Sequence, residues 1–179
     1  PEVFTVVARQ ADADELTRDV LEVTRAALDG FDAMRAREGR RLAEDILSRC
    51  DTIETMVGRI AELAPRTVEA YRARLEARIA ELLDGAQADE QRNITETAVF
   101  ADRIAIDEEL VRLQSHLSQA RGMLSSDAAV GRKLDFLVQE FNREANTIGS
   151  KASDLEITRL VVDIKAEIEK IREQVQNLE

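Results

Sequence analysis

Two glutamates one helical turn apart are the side chains of this sequence best suited to chemistry. Glu140 and Glu144 are spaced i and i+4 in the stretch 130–151, whose apolar residues recur at helical spacing. Like charges at that spacing weaken a helix unless a cation lies nearby. A divalent metal that keeps open positions for water and a phosphate oxygen would be such a cation. Lys133 or Lys151 would serve equally well without any function.

The single histidine of the chain, His116, is the second candidate. It follows Glu109 by two helical turns, so the two side chains share one helix face. Neutral imidazole binds divalent metals and titrates near neutral pH, which suits a metal ligand or a general acid and base. Together with the carboxylates it would suit Mn²⁺ or Mg²⁺. The alternative is a histidine that packs beside a carboxylate and has no further role.

The outer face of 130–151 is unusually rich in directional hydrogen-bonding groups. A helix that needs only solubility carries mostly Lys and Glu, whereas this face carries amides and arginines. The stretch has four basic and three acidic residues in a chain of net charge −11, so it is a candidate phosphate-binding patch on an acidic background. The polar residues concerned are Arg132, Asp135, Gln139, Asn142, Arg143 and Asn146.

Composition predicts an all-α fold. The 179 residues are 44% hydrophobic and 34% charged, with two prolines and no tryptophan, a balance typical of long amphipathic helices. The acidic net charge argues against a generally basic surface for nucleic acid, and DNA is not expected as a partner. One cysteine, Cys50, fits a reducing cytoplasm. No apolar run reaches the roughly 18 residues of a membrane span.

Periodicity divides the chain into three parts. Residues 1–11 are β-leaning in composition and are interpreted as an incoming segment, the tail of a missing N-terminal domain. An apolar stripe then runs from Leu16 to Ile60, and Pro65 is expected to end this helix and open the next. With Gly85 as a cap, residues 12–85 are predicted to form a long antiparallel helical hairpin or arm.

Residues 92–179 are predicted to form a compact helical C-terminal domain that carries the candidate site. An interruption is expected near Ile104 to Asp107, and Gly149 with Ser150 is expected to end the helix of 130–151. Ser153 and Glu156 match a capping box for the last helix. The apolar residues from Ile157 to Leu178 alternate steps of four and three, as in a coiled coil, and belong either to a core or to an oligomer interface.

Several segments in this order are similar to one known family. GRKLDFLVQEFNREANTIGSK, followed by EITRLVVDIKAEIEKIREQVQNLE, resembles the C-terminal region of the YicC/YloC family of bacterial proteins. IDEELVRLQSHL and PEVFTVV fit the same family in the same order. The similarity is dense from about Ile104 to Glu179 and looser through the long helical region.

The resemblance implies a cytoplasmic endoribonuclease that requires a divalent metal and assembles as a hexameric ring around RNA. In that family an additional N-terminal domain precedes the part seen in this chain. Carried over by motif position, the expected catalytic residues are His116, Glu109, Glu140 and Glu144, and the expected metal ligands are the same four with Asp135. The expected RNA or phosphate ligands are Arg132, Lys133, Gln139, Asn142, Arg143 and Lys151. The reaction would be metal-assisted hydrolysis of the phosphodiester bond.

A function of another class also fits the sequence. A non-catalytic helical oligomerisation or adaptor module would use the Ile157 to Leu178 seam to join subunits. Its polar helix face at 130–151 would bind RNA or protein without cleavage. The acidic charge and the absence of a compact catalytic motif favour this alternative.

Overall fold

Helices dominate the computed structural model, which describes residues 12–83, 90–126 and 130–178. The helices are α1 (Ala13–Leu83), α2 (Glu90–Ile104), α3 (Asp107–Leu124), α4 (Gly131–Lys151) and α5 (Leu155–Val175). The all-α prediction is confirmed, since no strand occurs in the described residues. The incoming segment 1–11, Gly85 and most of the loop predicted before residue 92 lie outside the described residues. No helix in the described part is long and apolar enough to cross a membrane.

The predicted turn at Pro65 is wrong, because α1 is one continuous helix of 71 residues with Pro65 inside it. Proline removes one backbone hydrogen bond and clashes with the preceding turn, so it breaks a helix only where packing does not hold the helix together. Here Leu63 is buried just before Pro65, and Tyr71 stacks on Phe100 of α2 just after it. Packing on both sides therefore holds the helix through the proline.

The chain divides into two units by its internal contacts, Pro1–Arg41 and Leu42–Glu179. In the first unit the described residues from Ala13 onward are helical, and their apolar side chains face solvent. These exposed residues include Leu16, Val20, Val23, Leu28, Phe31 and Met34. The predicted stripe is present there, but it has no partner within its own unit.

The second unit is built around one hydrophobic core. Leu42, Ile46, Cys50, Ile53, Val57, Ile60 and Leu63 supply the buried face of α1. Leu110, Leu113, Leu117 and Ala120 do so for α3, and Leu134, Leu137, Phe141, Ala145 and Ile148 for α4. The α5 face consists of Ile157, Val161, Ile164, Ile168, Ile171 and Val175, which are all buried in this core. Those isoleucines are therefore core residues and do not form a free seam for joining subunits.

Ion pairs show how the helices of the second unit are arranged. Arg49 and Arg59 on α1 bind Glu167 and Glu156 on α5, at 2.9 and 3.2 Å. Arg121 on α3 reaches back to α1, where Asp51 and Glu54 each accept at 2.7 Å. Helix α4 packs against α3 on one side and α5 on the other. It therefore presents one flank to each of these helices.

The ends of α4 and α5 differ in detail from the sequence expectation. Helix α4 continues past Gly149 to Lys151, and a Cβ on Gly149 would lie 3.1 Å from a Val161 methyl, so this glycine serves close packing. At the other end, a Cβ on Gly131 would lie 2.8 Å from the Leu178 carbonyl oxygen. Asp154 caps α5 by accepting hydrogen bonds from the amides of Glu156 and Ile157, so Ser153 is not the cap.

Candidate metal centre

A cluster of three potential metal ligands lies where α3 packs on α4. His116, Glu140 and Glu144 each offer one ligand atom, and these atoms all lie within 4.8 Å of one another. The two glutamates are one turn apart on α4, and the histidine comes from α3. Packing of the two helices therefore brings together residues that are 24 or more positions apart in the sequence.

The cluster contains polar groups that lack the partners they normally have when buried. Glu144 is only 3% exposed, and no hydrogen bond or ion pair to it occurs among the described residues. Nδ1 of His116 is likewise buried without a hydrogen-bond partner in that part of the chain. Glu140 has one contact, at 3.5 Å, with the exposed guanidinium of Arg143. Burying a carboxylate without a partner is costly, so the cluster is short of positive charge.

A divalent cation fits this deficit. Two carboxylates and one imidazole are an oxygen-rich donor set with a single nitrogen, which suits Mn²⁺ or Mg²⁺ better than the sulfur-preferring metals. The cluster is half-buried at His116 and Glu140, which leaves it accessible from solvent. The residues present are therefore suited to hold such an ion.

Glu109 lies outside this cluster, although it shares a helix face with His116. Its Oε1 accepts a hydrogen bond from Lys151 Nζ at 2.8 Å, and Lys151 also donates to the Ala105 carbonyl at 2.9 Å. Desolvation acts to raise the pKa of the Glu109 carboxyl, but the bond to Lys151 and its charge outweigh this, and the pKa lies below its ordinary value. The structure thus places Glu109 and Lys151 in a pair that joins α3 to the end of α4.

The amide and arginine residues of α4 lie on its other flank. With 3.6 residues per turn, Asp135, Gln139 and Asn142 fall roughly 150° around the helix from the two cluster glutamates. They line a groove between α4 and α5 of about 660 Å³, together with Val138, Arg143, Asn146, Thr147 and Arg172. Asp135 accepts a hydrogen bond from Gln139 at 3.0 Å inside this groove and does not join His116, Glu140 and Glu144.

The groove is flanked by a second cavity near the start of α4. This cavity, of about 720 Å³, is lined by Gly131, Arg132, Lys133, Asp135, Val175, Gln176 and Leu178. Asp135 borders both cavities, so the basic residues Arg132, Lys133, Arg143 and Arg172 follow one side of the unit Leu42–Glu179. We call these two cavities and their lining residues the α4–α5 groove.

The structure therefore separates the residues that the sequence grouped into one site. It brings His116, Glu140 and Glu144 together, places Glu109 with Lys151, and turns the amides toward α5. Arg172 was missed, because its position beside Asn142 depends on the register of α5 against α4. The only sequence signal for it is its place next to the buried Ile171 on the last helix.

Fold and cluster together define a helical protein with a carboxylate and imidazole site suited to a divalent cation. The sequence model of the family "Endoribonuclease YicC-like, C-terminal" matches residues 60–179, and this chain belongs to that family. A relative from Clostridioides difficile (strain 630), named "Probable endoribonuclease YicC", is 45% identical over 180 residues that cover 100% of this chain. A relative of the same name from Haemophilus influenzae is 40% identical over 176 residues, or 97% of this chain.

The chain spans 61% and 60% of the lengths of these two curated relatives. The family match extends from the later part of α1 to the end of the chain, so it includes the cluster and the α4–α5 groove.

Proposed function

We propose that this chain is part of a metal-dependent endoribonuclease of the cytoplasm that hydrolyses RNA phosphodiester bonds within an oligomeric ring. The observation that carries the proposal is the convergence of His116, Glu140 and Glu144 around a buried carboxylate that has no cation of its own. The two relatives named as probable endoribonucleases support the choice of RNA as substrate.

In this proposal His116, Glu140 and Glu144 hold one divalent ion. When bound, such an ion lowers the pKa of water and stabilises negative charge on a phosphate. Glu144 is fixed by its burial, whereas Glu140 is half-buried beside Arg143 and keeps one side toward solvent. Arg143 extends from the same turn of α4 and is 69% exposed at its side chain, so it is positioned to bind a phosphate of the RNA near the cluster.

The α4–α5 groove, apart from Arg143 at its border with the cluster, binds RNA away from the cleavage position in this proposal. Its lining combines arginines and a lysine, which attract phosphates, with amides, which donate and accept hydrogen bonds without a net charge. It faces α5 while the cluster faces α3, so an RNA strand in contact with both must pass around the exposed side of α4. Substitutions in the groove should therefore weaken RNA binding, and substitutions in the cluster should mainly lower the rate of cleavage.

Lys151 has a structural role in this arrangement. Its ammonium group binds Glu109 and a backbone carbonyl, so it holds α3 to α4 close to the cluster. Glu109 is the buried partner of this lysine. Glu109 and Lys151 affect the cluster only indirectly, because they hold α3, which carries His116, in place against α4.

Metal binding and cleavage by the 179-residue chain test the proposal. Mn²⁺ binding is measured by titration calorimetry, and cleavage of a labelled single-stranded RNA is followed in Mn²⁺ and in EDTA. Glu144→Gln and His116→Ala should each weaken Mn²⁺ binding by about 100-fold and abolish most of the cleavage. Glu144→Gln should also raise the thermal stability of the metal-free chain, because it removes a buried charge that has no partner.

Two matched variants control this experiment. Asp135→Asn removes a carboxylate from the same helix on the groove side and should leave Mn²⁺ affinity unchanged. Asp163→Asn removes an exposed carboxylate of α5 and should leave cleavage unchanged. Cleavage that survives both EDTA and the two cluster substitutions would contradict the metal site. A wild-type chain that binds RNA but never cleaves it would support a non-catalytic adaptor.

One observation favours that adaptor as a second candidate function. The apolar residues of the unit Pro1–Arg41 are exposed along the helix, as expected of a surface that joins other molecules. The isoleucines of α5 do not support the adaptor function, because they are buried in the core of their own chain.

A further inference from the structure

A third cavity, of about 310 Å³, lies between the later part of α1, α2 and the beginning of α5. It is lined by Leu63, Arg66, Thr67, Ala70, Tyr71, Arg74, Phe100, Ser153 and Asp154. None of these residues belongs to the cluster or to the α4–α5 groove. From Glu144 to the end of α4 at Lys151 is about 10 Å along the helix, and the cavity lies beyond that end.

The two arginines of this cavity have no carboxylate partner among the described residues. Arg66 makes no hydrogen bond or ion pair there, and the Arg74 guanidinium lies over the Tyr71 ring, 5.7 Å from its centre. Their neighbours on the outer side of α1 are different, since Arg72 binds Glu76 at 2.9 Å and Arg78 binds Glu81 at 3.0 Å. Asp154 also lines the cavity, but its Oδ1 accepts hydrogen bonds from the amides of Glu156 and Ile157 and it binds neither arginine. In an acidic chain of net charge −11, the two arginines are therefore available to an anion.

The same cavity contains an aromatic stack. The rings of Tyr71 and Phe100 lie 3.6 Å apart and are inclined by 8°, and both side chains are half-buried. Each ring covers one face of the other, and the Arg74 guanidinium lies over the Tyr71 ring, so the outer face of Phe100 is the one that a base can stack on. The hydroxyl of Ser153 adds a donor and an acceptor at the rim, where an exposed base edge can form a hydrogen bond.

We propose that this cavity binds one nucleotide unit, with its phosphate on Arg66 and Arg74 and its base on the Phe100 side of the Tyr71–Phe100 stack. Arginine is well suited to phosphate, because its planar group donates two parallel hydrogen bonds. The nucleotide comes either from single-stranded RNA or from a free nucleoside monophosphate. The RNA source rests on the proposed function, whereas the recognition of a nucleotide does not.

If the nucleotide belongs to RNA, the position of the cavity determines where the strand is held relative to the cluster. The cluster lies on α3 and α4 before the end of α4 at Lys151, and the cavity begins just beyond that end, at Ser153 and Asp154. A strand bound in the cavity would be held outside the cluster, next to the end of α4. The cavity would therefore select single-stranded RNA, since a base in a duplex has no free face to stack.

Fluorescence gives a readout specific to this cavity, because Tyr71 is the single tyrosine of a chain without tryptophan. The 179-residue chain is titrated with uridine monophosphate, with a uridine trinucleotide and with inorganic phosphate, and tyrosine emission is corrected for absorption by the nucleotide. Both nucleotide probes should quench Tyr71, whereas phosphate alone should not. The double variant Arg66→Gln/Arg74→Gln should weaken binding of the trinucleotide by about tenfold. The slope of its log affinity against log salt concentration should become shallower by the amount expected for about one to two lost phosphate contacts.

Matched and separating controls make each outcome informative. Arg72→Gln/Arg78→Gln removes the same charge from the same helix outside the cavity and should leave both the quenching and the affinity unchanged. Glu144→Gln should stop cleavage and leave Tyr71 quenching intact, so failure of the metal site and failure of the cavity are distinguished. Quenching by neither nucleotide, equal losses in the two double variants, or equal binding of phosphate would overturn the proposal. Quenching by the trinucleotide but not by the monophosphate would assign the site to RNA.

Discussion

Two buried glutamates in one helix pair have opposite surroundings. Oε1 of Glu109 is bonded to Lys151 while its Oε2 is buried without a hydrogen-bond partner, whereas Glu144 has no partner at either oxygen among the described residues. A buried charge that is paired and hydrogen-bonded can be neutral or better for stability, but an unpaired one is a net cost. Glu144 therefore lowers the free energy of unfolding of the metal-free chain, as is common at sites that bind a ligand or a metal.

The Glu109–Lys151 pair predicts a specific dependence of stability on pH. The pKa of Glu109 is lowered in the folded chain, so the pair stabilises it above the unfolded pKa of about 4.3 and is lost as the pH falls through the folded value. Lys151→Met should destabilise the chain by about 2 kcal/mol at pH 7, a value reduced for the one-third exposure of the lysine. The difference from wild type should shrink below pH 4, measured by urea unfolding.

An exposed lysine of the same helix controls this prediction. Lys133→Met should change stability by less than about 0.5 kcal/mol at either pH, as is usual for surface positions. In a Glu109→Gln background, Lys151→Met should cost much less than in wild type. A pH-independent cost of Lys151→Met would show that lost packing, not the ion pair, is responsible.

At the level of single residues, the sequence predicted the site only in part. The i, i+4 spacing of Glu140 and Glu144 and the uniqueness of His116 pointed to the three residues that converge, but Glu109 and Asp135 were predicted as ligands with them and lie outside the cluster. The partner of Lys151 and the location of Arg172 were not predictable. Both depend on the register between packed helices, which periodicity within one helix does not contain.

At the level of helices, amphipathic periodicity was a reliable guide. It predicted the break between α2 and α3, the extent of α4 and the buried face of α5. The failure was at Pro65, where a strong local signal for a helix end was overcome by packing of Leu63 before it and Tyr71 after it. Whether a proline breaks a helix depends on tertiary contacts that lie outside the local sequence.

A distance measurement across Pro65 distinguishes one helix from a hairpin. Spin labels at Thr55→Cys and Glu76→Cys, both exposed, should lie about 32 Å apart at the backbone if α1 is continuous, from 21 residues at 1.5 Å each. In a hairpin that turns at Pro65 the two positions would face each other across about 10 Å. Pulsed electron resonance measures this distance, and buried Cys50 should remain unlabelled because its burial raises the pKa of its thiol to about 11.

Labels at Glu44→Cys and Thr55→Cys provide the control for this measurement. Both lie before Pro65 and should be about 16 Å apart at the backbone in either arrangement. A short distance for the 55–76 pair, together with the expected control distance, would reinstate the hairpin.

At the level of the whole molecule, the two units differ in whether their apolar side chains are buried or exposed. The unit Leu42–Glu179 buries its helical stripes in one core, whereas the unit Pro1–Arg41 exposes the side chains from Leu16 to Met34. Apolar residues recur there in steps of four and three, the pattern by which one helix packs along another; they are Leu16, Val20, Val23, Ala27, Phe31 and Met34. A second copy of this chain would present the same pattern, so the stripe supports the proposed assembly into a ring.

Ring assembly predicts that the stripe controls the molar mass in solution. By light scattering, the chain should have a mass near that of six copies of the 20.0 kDa protomer, about 120 kDa. Val23→Glu/Phe31→Glu should lower this mass toward the protomer, because a charge at the centre of an apolar interface has no partner there. Val99→Glu/Val111→Glu, at equally exposed positions of α2 and α3, should leave the mass unchanged. A wild-type chain of protomer mass, or equal effects of both pairs of substitutions, would contradict assembly through the stripe.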